Sequence, residues 1–153
     1  MHDLRPAVVV RVRRLAHAEG VALPSYASAG AAGADVCSAE PGPVRVAPGE
    51  RVALSTGLEL EVPEGWELQV RPRSGLAWRQ GLTVVNAPGT IDSDFRGEVK
   101  VLLVNLGRQP VTVHRGDRVA QLVLAPVTRA EFLPSQELST TDRGAGGFGS
   151  TGR

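Results

Sequence analysis

Leu58-Glu59-Leu60-Glu61-Val62-Pro63-Glu64-Gly65-Trp66-Glu67-Leu68-Gln69-Val70-Arg71 carries the clearest periodicity in the chain. Leu58, Leu60 and Val62 alternate with Glu59 and Glu61. After Pro63-Glu64-Gly65, Trp66, Leu68 and Val70 alternate with Glu67, Gln69 and Arg71. Successive side chains of a strand point to opposite faces, so each half is a strand with one buried face. The turn residues between the halves predict a β-hairpin.

Outward from this stretch, short apolar runs recur between turn signals. Val8, Val10 and Val12 alternate with Val9, Arg11 and Arg13 and predict a first strand. Residues 16 to 34 are small, polar and rich in Gly and Ala, which predicts an extended loop. Val44 and Val46 lead through Pro48-Gly49 to Val52 and Leu54. Leu82 to Val85 and Val101 to Val104 flank a polar stretch, Asn86 to Lys100, that Pro88-Gly89 and Arg96-Gly97 punctuate as a wide-mouthed hairpin. Val111 and Val113 precede the turn Arg115-Gly116-Asp117, and Val119 to Val127 is a mostly apolar strand. The one helix signal is Ser74 to Gln80, with Ser74 as N-cap and Gly81 as C-cap candidate. Many short strands with almost no helix predict an all-β protein, an antiparallel sandwich or barrel.

Composition agrees. The 153 residues are 42% hydrophobic but only 4% aromatic, so Val, Leu and Ala must fill a single core. Eighteen glycines and eleven prolines suit tight turns rather than long helices. A net charge of +1 gives no electrostatic case for nucleic acid or an anionic membrane as partner. Lys100 is the only lysine; the remaining cations are arginines, which suit bidentate phosphate contacts. Cys37 stands alone, and His2, His17 and His114 are scattered, so there is neither a disulfide nor a zinc spacing. Ala7 to Val10 is too short for a signal core, and no stretch approaches a membrane span; a soluble cytoplasmic protein is expected.

Among possible chemistries, there is no supported Ser/His/Asp set, no CxxC and no Walker lysine. Gly144-Ala145-Gly146-Gly147-Phe148-Gly149 satisfies G-x-G-x-x-G literally, but no strand-turn-helix context surrounds it. Arg73 and Ser74 open the short helix, where backbone N–H groups can meet an anion; read alone, they are equally a cap and a solvent arginine. Asp35 is a loop carboxylate that could face a metal or an arginine. Gln121 is either an exposed strand residue or a donor to a phosphate oxygen. Asp92 and Asp94 sit with Phe95 in the polar mouth, where Asx-type turn bonds would also use them. By composition, Arg143 to Gly152 is a disordered terminus.

Taken in order, Ala32-Gly33-Ala34-Asp35, Arg71 to Ala77 (RPRSGLA), Asn86 to Gly97 (NAPGTIDSDFRG), Gly116 to Leu122 (GDRVAQL) and Arg143 to Gly152 (RGAGGFGSTG) resemble the five motifs of the trimeric deoxyuridine triphosphatases. The resemblance runs from about Leu23 to the end of the chain. It implies a jelly-roll-like antiparallel β-barrel over residues 1–138, with a flexible glycine-rich tail over 139–153. It also implies a homotrimer with shared active sites, and hydrolysis of dUTP to dUMP and pyrophosphate with Mg²⁺. That activity would supply dUMP and limit uracil in DNA.

The resemblance further implies that Asp92 activates the attacking water and that Asp35 holds Mg²⁺ through a water. Arg73, Ser74, Gly75 and Gln121 would contact the phosphates, with Arg143 clamping the terminal one. Asn86 and the backbone near Thr90, Ile91 and Lys100 would read the uracil edge. Phe95 would pack under the sugar and Phe148 would stack over the base. Two departures stand out: Phe95 occupies a position where the family usually carries tyrosine, and His17 to Val21 is extra length without a functional account. A dCTP deaminase on the same fold is disfavoured, because that branch carries a glutamate base and a second serine where this chain has Asp92 and Gly75. A non-catalytic nucleotide-binding regulator is the other alternative, against which Asp92 and Arg143 argue.

Overall fold

The computed structural model describes residues 7–150 and 152. Its strands are β1 (Arg11–Arg14), β2 (Ser25–Tyr26), β3 (Gly33–Cys37), β4 (Val44–Val46), β5 (Arg51–Glu61), β6 (Trp66–Arg71), β7 (Leu82–Val84), β8 (Gly89–Ile91), β9 (Glu98–Asn105), β10 (Val111–Val113) and β11 (Arg118–Pro126). One helix, α1 (Ser74–Gln80), and a 3-10 turn at Ala16–Ala18 complete the described regular structure. Every pairing is antiparallel. One sheet has the order β1-β5-β9-β7, a second β2-β3-β11-β6-β8, and β10 pairs with β4 alone.

The two larger sheets share one core. Leu54, Leu58 and Leu60 of β5 and Val99, Val101 and Leu103 of β9 meet Leu68 and Val70 of β6 and Leu122 of β11. Full burial of such a side chain is worth about 1.5–3 kcal/mol, so this alternating set holds the sheets together with no fully buried aromatic, Trp66 packing on it only in part. Asn105 is fully buried inside the core, and its Nδ2 donates to the carbonyls of Val46 (2.9 Å) and Gln109 (2.8 Å). It ties the end of β9 to β4.

The faces expected for residues 58–71 are the buried ones, but the hairpin is not there. β5 pairs with β1 and β9, whereas β6 pairs with β11 and β8. Each strand has two hydrogen-bonding edges, and longer-range partners take all four. The Pro63-Glu64-Gly65 turn therefore carries the chain from one sheet to the other, with Val62 buried as it crosses. The polar stretch Asn86–Lys100 departs from expectation in the same way: β8 joins β6, and β9 joins β5 and β7. What reads as a hairpin mouth is a gap between two sheets.

Smaller corrections follow. β1 begins at Arg11 and is exposed at all four positions, so the valines before it lie outside the strand. Residues 16–34 hold the 3-10 turn, β2 and the start of β3, and Ala18 and Val21 bury against Cys37 and Ala39. Helix α1 has the expected span, but its N-cap residue is Arg73, not Ser74, and no side chain caps it. Gly81 is the C-cap, at φ 71°.

Candidate active site in two clefts

The gap between β8 and β9 is a cleft of about 320 Å³. Its lining includes Asn86, Thr90, Ile91, Asp92, Phe95 and Lys100, six of the seven residues expected at the base, sugar and catalytic positions; Phe148 is not among them. Ile91 is buried and anchors β8 to Leu68 of β6, which leaves the Asp92 carboxylate exposed at the point where the chain leaves the sheet. The Phe95 N–H donates to the Asp92 carbonyl at 3.2 Å, closing the turn. The Phe95 ring lies over Gly97, where an added Cβ would stand 2.8 Å from it. Glu98 also faces the cleft. Burial opposes its charge, but hydrogen bonds from Ser55, His17 and the Gly57 N–H outweigh that and hold the carboxyl below its ordinary value.

A second cleft, of about 470 Å³, collects the residues expected at the phosphates: Asp35, Arg73, Ser74, Gly75 and Gln121, with Arg71 added. β3 and β11 run side by side here, so Asp35 and Gln121 are register partners. The Asp35 carboxylate is half-buried and accepts from Arg73 Nε at 2.9 Å and from Arg118 at 3.4 Å. The Gln121 amide nitrogen donates to the Pro72 carbonyl at 2.9 Å, fixing the residue before Arg73. The cleft is therefore cationic, with one carboxylate between arginines.

The two sets do not share a lining residue, and Arg143 and Phe148 line neither cleft. Arg143 Nε donates to the Gly146 carbonyl at 2.7 Å within the tail, and Phe148 is fully exposed at φ 51°. Among the described residues, no group of three His, Cys, Asp or Glu could hold a metal ion. Asp35 is the only carboxylate lining the phosphate cleft, and arginines occupy both its oxygens. That donor set suits a hard cation carried in by phosphates and reached through water, and does not suit an ion caged by protein.

Sequence reasoning missed three residues here. Arg118 meets Asp35 only because β11 lies against β3, and Gly33 matters only because Gln121 folds over it. Glu98 takes its partners from β5 and the 3-10 turn. Only long-range pairing reveals any of them.

Comparison with known proteins bears on the family and the fold. A family model described as dUTPase matches residues 19–152. Deoxyuridine 5'-triphosphate nucleotidohydrolases of Rhizobium leguminosarum bv. trifolii and Beijerinckia indica subsp. indica are both 56% identical to the chain. The first alignment covers 99% of this chain and 97% of the relative, the second 94% and 91%. The dUTPase of Staphylococcus bacteriophage 80alpha, solved with dUPNHPP, superposes with a TM-score of 0.85 at 24% identity, over 95% of this chain and 99% of that one. A mutant dUTPase from phage phi11 of S. aureus, solved with a structural Mg(II) ion, gives 0.74 at 24% identity over 84% and 97%. At that identity the structures speak for the fold, whereas the family model and the full-length relatives speak for descent: the chain belongs to the dUTPase family.

Proposed function

We propose that the protein is a cytoplasmic dUTP diphosphatase that hydrolyses dUTP to dUMP and pyrophosphate. The cleft between β8 and β9 carries this reading: it sets one exposed carboxylate, Asp92, beside an amide, Asn86, and the strand-edge backbone of Thr90 and Lys100. A pyrimidine edge fits such a slot, and the carboxylate stands where a reacting phosphate would emerge. The names borne by the 56%-identical relatives agree.

Asp92 orients a water and accepts its proton as the water oxygen bonds to the α-phosphorus and the bond to the pyrophosphate oxygen breaks. General-base assistance of this kind is worth roughly 10²–10⁴ in rate. Arg73, Ser74 and Gly75 hold the phosphates, and Arg73 is aimed by Asp35 and by the Gln121 bond to Pro72. Asp35 would hold Mg²⁺ through a water, and the ion would supply charge neutralisation to the phosphates. Phe95, braced on Gly97, packs under the deoxyribose.

The working unit is a homotrimer of jelly-roll-like barrels with shared sites, and no nucleic acid or membrane is a partner. The separation of the two clefts supports sharing, because one protomer offers the base slot and the phosphate cradle to different ligands. The tail supplies Arg143 to the terminal phosphate and Phe148 over the base of a neighbouring site. The test is turnover of dUTP with Mg²⁺, run beside dCTP and UTP. Release of pyrophosphate from dUTP alone is expected. Deamination of dCTP, or dUTP binding without turnover, would overturn the reading.

A further inference from the structure

His17 to Val21 is extra length by the family pattern, and the structure gives it, with Leu15 and Ala16 before it, a definite seat. Opposite the start of β9, strand β5 carries two surplus residues: Ser55 faces Lys100 and Glu59 faces Glu98, so four steps on one strand match two on the other. Such a bulge breaks the backbone ladder, and side chains replace the missing bonds. Thr56 Oγ1 donates to the Val99 carbonyl. Ser55 Oγ and the Gly57 N–H (2.9 Å) both donate to Glu98 Oε1. The 3-10 turn closes over this bulge. Leu15 N–H donates to the Gly57 carbonyl at 2.8 Å, and Gly57, at φ +63°, is so close that a Cβ there would stand 2.2 Å from that of Ala18. His17 Nε2 then lies 3.0 Å from Glu98 Oε1 and 2.9 Å from Ser55 Oγ. An ionised carboxylate can only accept, so the imidazole N–H completes a three-donor grip on Glu98.

Glu98 lines the base cleft, and it is where the Asp92–Gly97 loop rejoins the sheet, two residues before Lys100. We propose that His17 is a positioning residue: through Glu98 and Ser55 it fixes the end of the Asp92 loop and so sets the opening of the base cleft. This rests on the dUTP diphosphatase reading. The loop is pinned at one end by Ile91 in the five-stranded sheet and at the other by Glu98 in the four-stranded sheet. Freedom at Glu98 therefore widens the gap between the sheets in which the base must be read. His17 does not line the base cleft; its side chain is about half exposed and acts through Glu98 and Ser55.

The experiment compares wild type, His17→Ala and His17→Gln, whose amide can restore a donor, at a temperature well below melting. Melting temperature, kcat and KM for dUTP, and the dUTP/dCTP preference are measured on each. Loss of one donor to a charged acceptor at a positioning contact predicts a KM for dUTP raised about 5- to 20-fold in His17→Ala, with kcat changed less. The dUTP/dCTP preference should fall, and His17→Gln should recover most of both. A lowered melting temperature with unchanged kinetic constants would reduce His17 to a structural contact and overturn the proposal, as would unchanged kinetics and stability together. Equal loss in His17→Ala and His17→Gln would also overturn it. Absence of wild-type turnover would count against the enzymatic reading instead, so the two failures are separable.

Discussion

Gly33→Ala adds one methyl group in β3, and the geometry fixes what it meets. The new Cβ would stand 2.1 Å from Gln121 Oε1, 2.9 Å from its Cδ and 3.1 Å from its Cβ. The 3.1 Å Cβ contact is eased only by a small shift between the strands, and moving the amide tip cannot relieve the Cδ contact, so the side chain must rotate away. Its Nε2 then leaves the Pro72 carbonyl, now 2.9 Å distant. A neutral hydrogen bond contributes about 1 kcal/mol and a displaced rotamer costs about 0.5–1.5 kcal/mol, giving a destabilisation of roughly 1.5–2.5 kcal/mol. For a chain of this size that is a drop of roughly 4–8 °C in melting temperature, measured at one fixed protein concentration. Pro72 precedes Arg73, so KM for dUTP should rise as well. A double-mutant cycle isolates the cause. In a Gln121→Ala background only the 3.1 Å contact with the Cβ of residue 121 remains, so Gly33→Ala should cost distinctly less there than in wild type. An equal cost in both backgrounds would refute the reasoning.

Asp92→Asn keeps the shape of the cleft but removes the proton acceptor; kcat should fall by roughly 10²–10⁴ with dUTP affinity little changed, and turnover within a few-fold of wild type would remove Asp92 from its role. Phe95→Ala should improve use of UTP relative to dUTP in competition assays, whereas lost dUTP activity with UTP still excluded would make the ring packing alone. Deletion from Thr140 onward should leave the melting curve in place, since the arm is exposed, yet abolish most turnover. Refolding that chain together with Asp92→Ala should partly restore activity, and mixed trimers without activity would rule out shared sites. Glu98, with its carboxyl held low, contributes stability that is full above the ordinary glutamate range and is lost as pH falls through its lowered value. The denaturation gap between wild type and Glu98→Gln should therefore close on acidification, and a gap constant with pH would exclude that contribution.

The sequence made faces legible and left partners hidden. Leu58, Leu60, Val62, Leu68 and Val70 are all buried, as their period of two demands, because the choice of face is local. Which strand lies alongside is not local. Glu59 and Glu61 do not look across a hairpin at Glu67; they meet Arg13 and Arg11 of β1 in ion pairs. Both misread hairpins fail for one reason: a turn signal reports a change of direction, and a change of sheet is also a change of direction.

The site divides along the same line. Asn86 to Lys100 is one short stretch, so its residues were bound to meet, and nine of them do line one cleft. Asp35, Arg73 and Gln121 lie far apart in sequence, and only motif resemblance grouped them before β3, β6 and β11 brought them together. Physical reading of the separate pieces could not have chosen Asp35 as partner of Arg73 over any other carboxylate. Nor could it have found Arg118 or His17, whose roles exist only through register and through a bulge. The tail is the limiting case. Arg143 and Phe148 have no apolar period and line neither cleft of their own protomer, so the fold gives no reading of them and only the motif resemblance does. A basic and an aromatic side chain held out on a glycine-rich arm bury nothing here, and the proposed nucleotide site would give them a surface to close on.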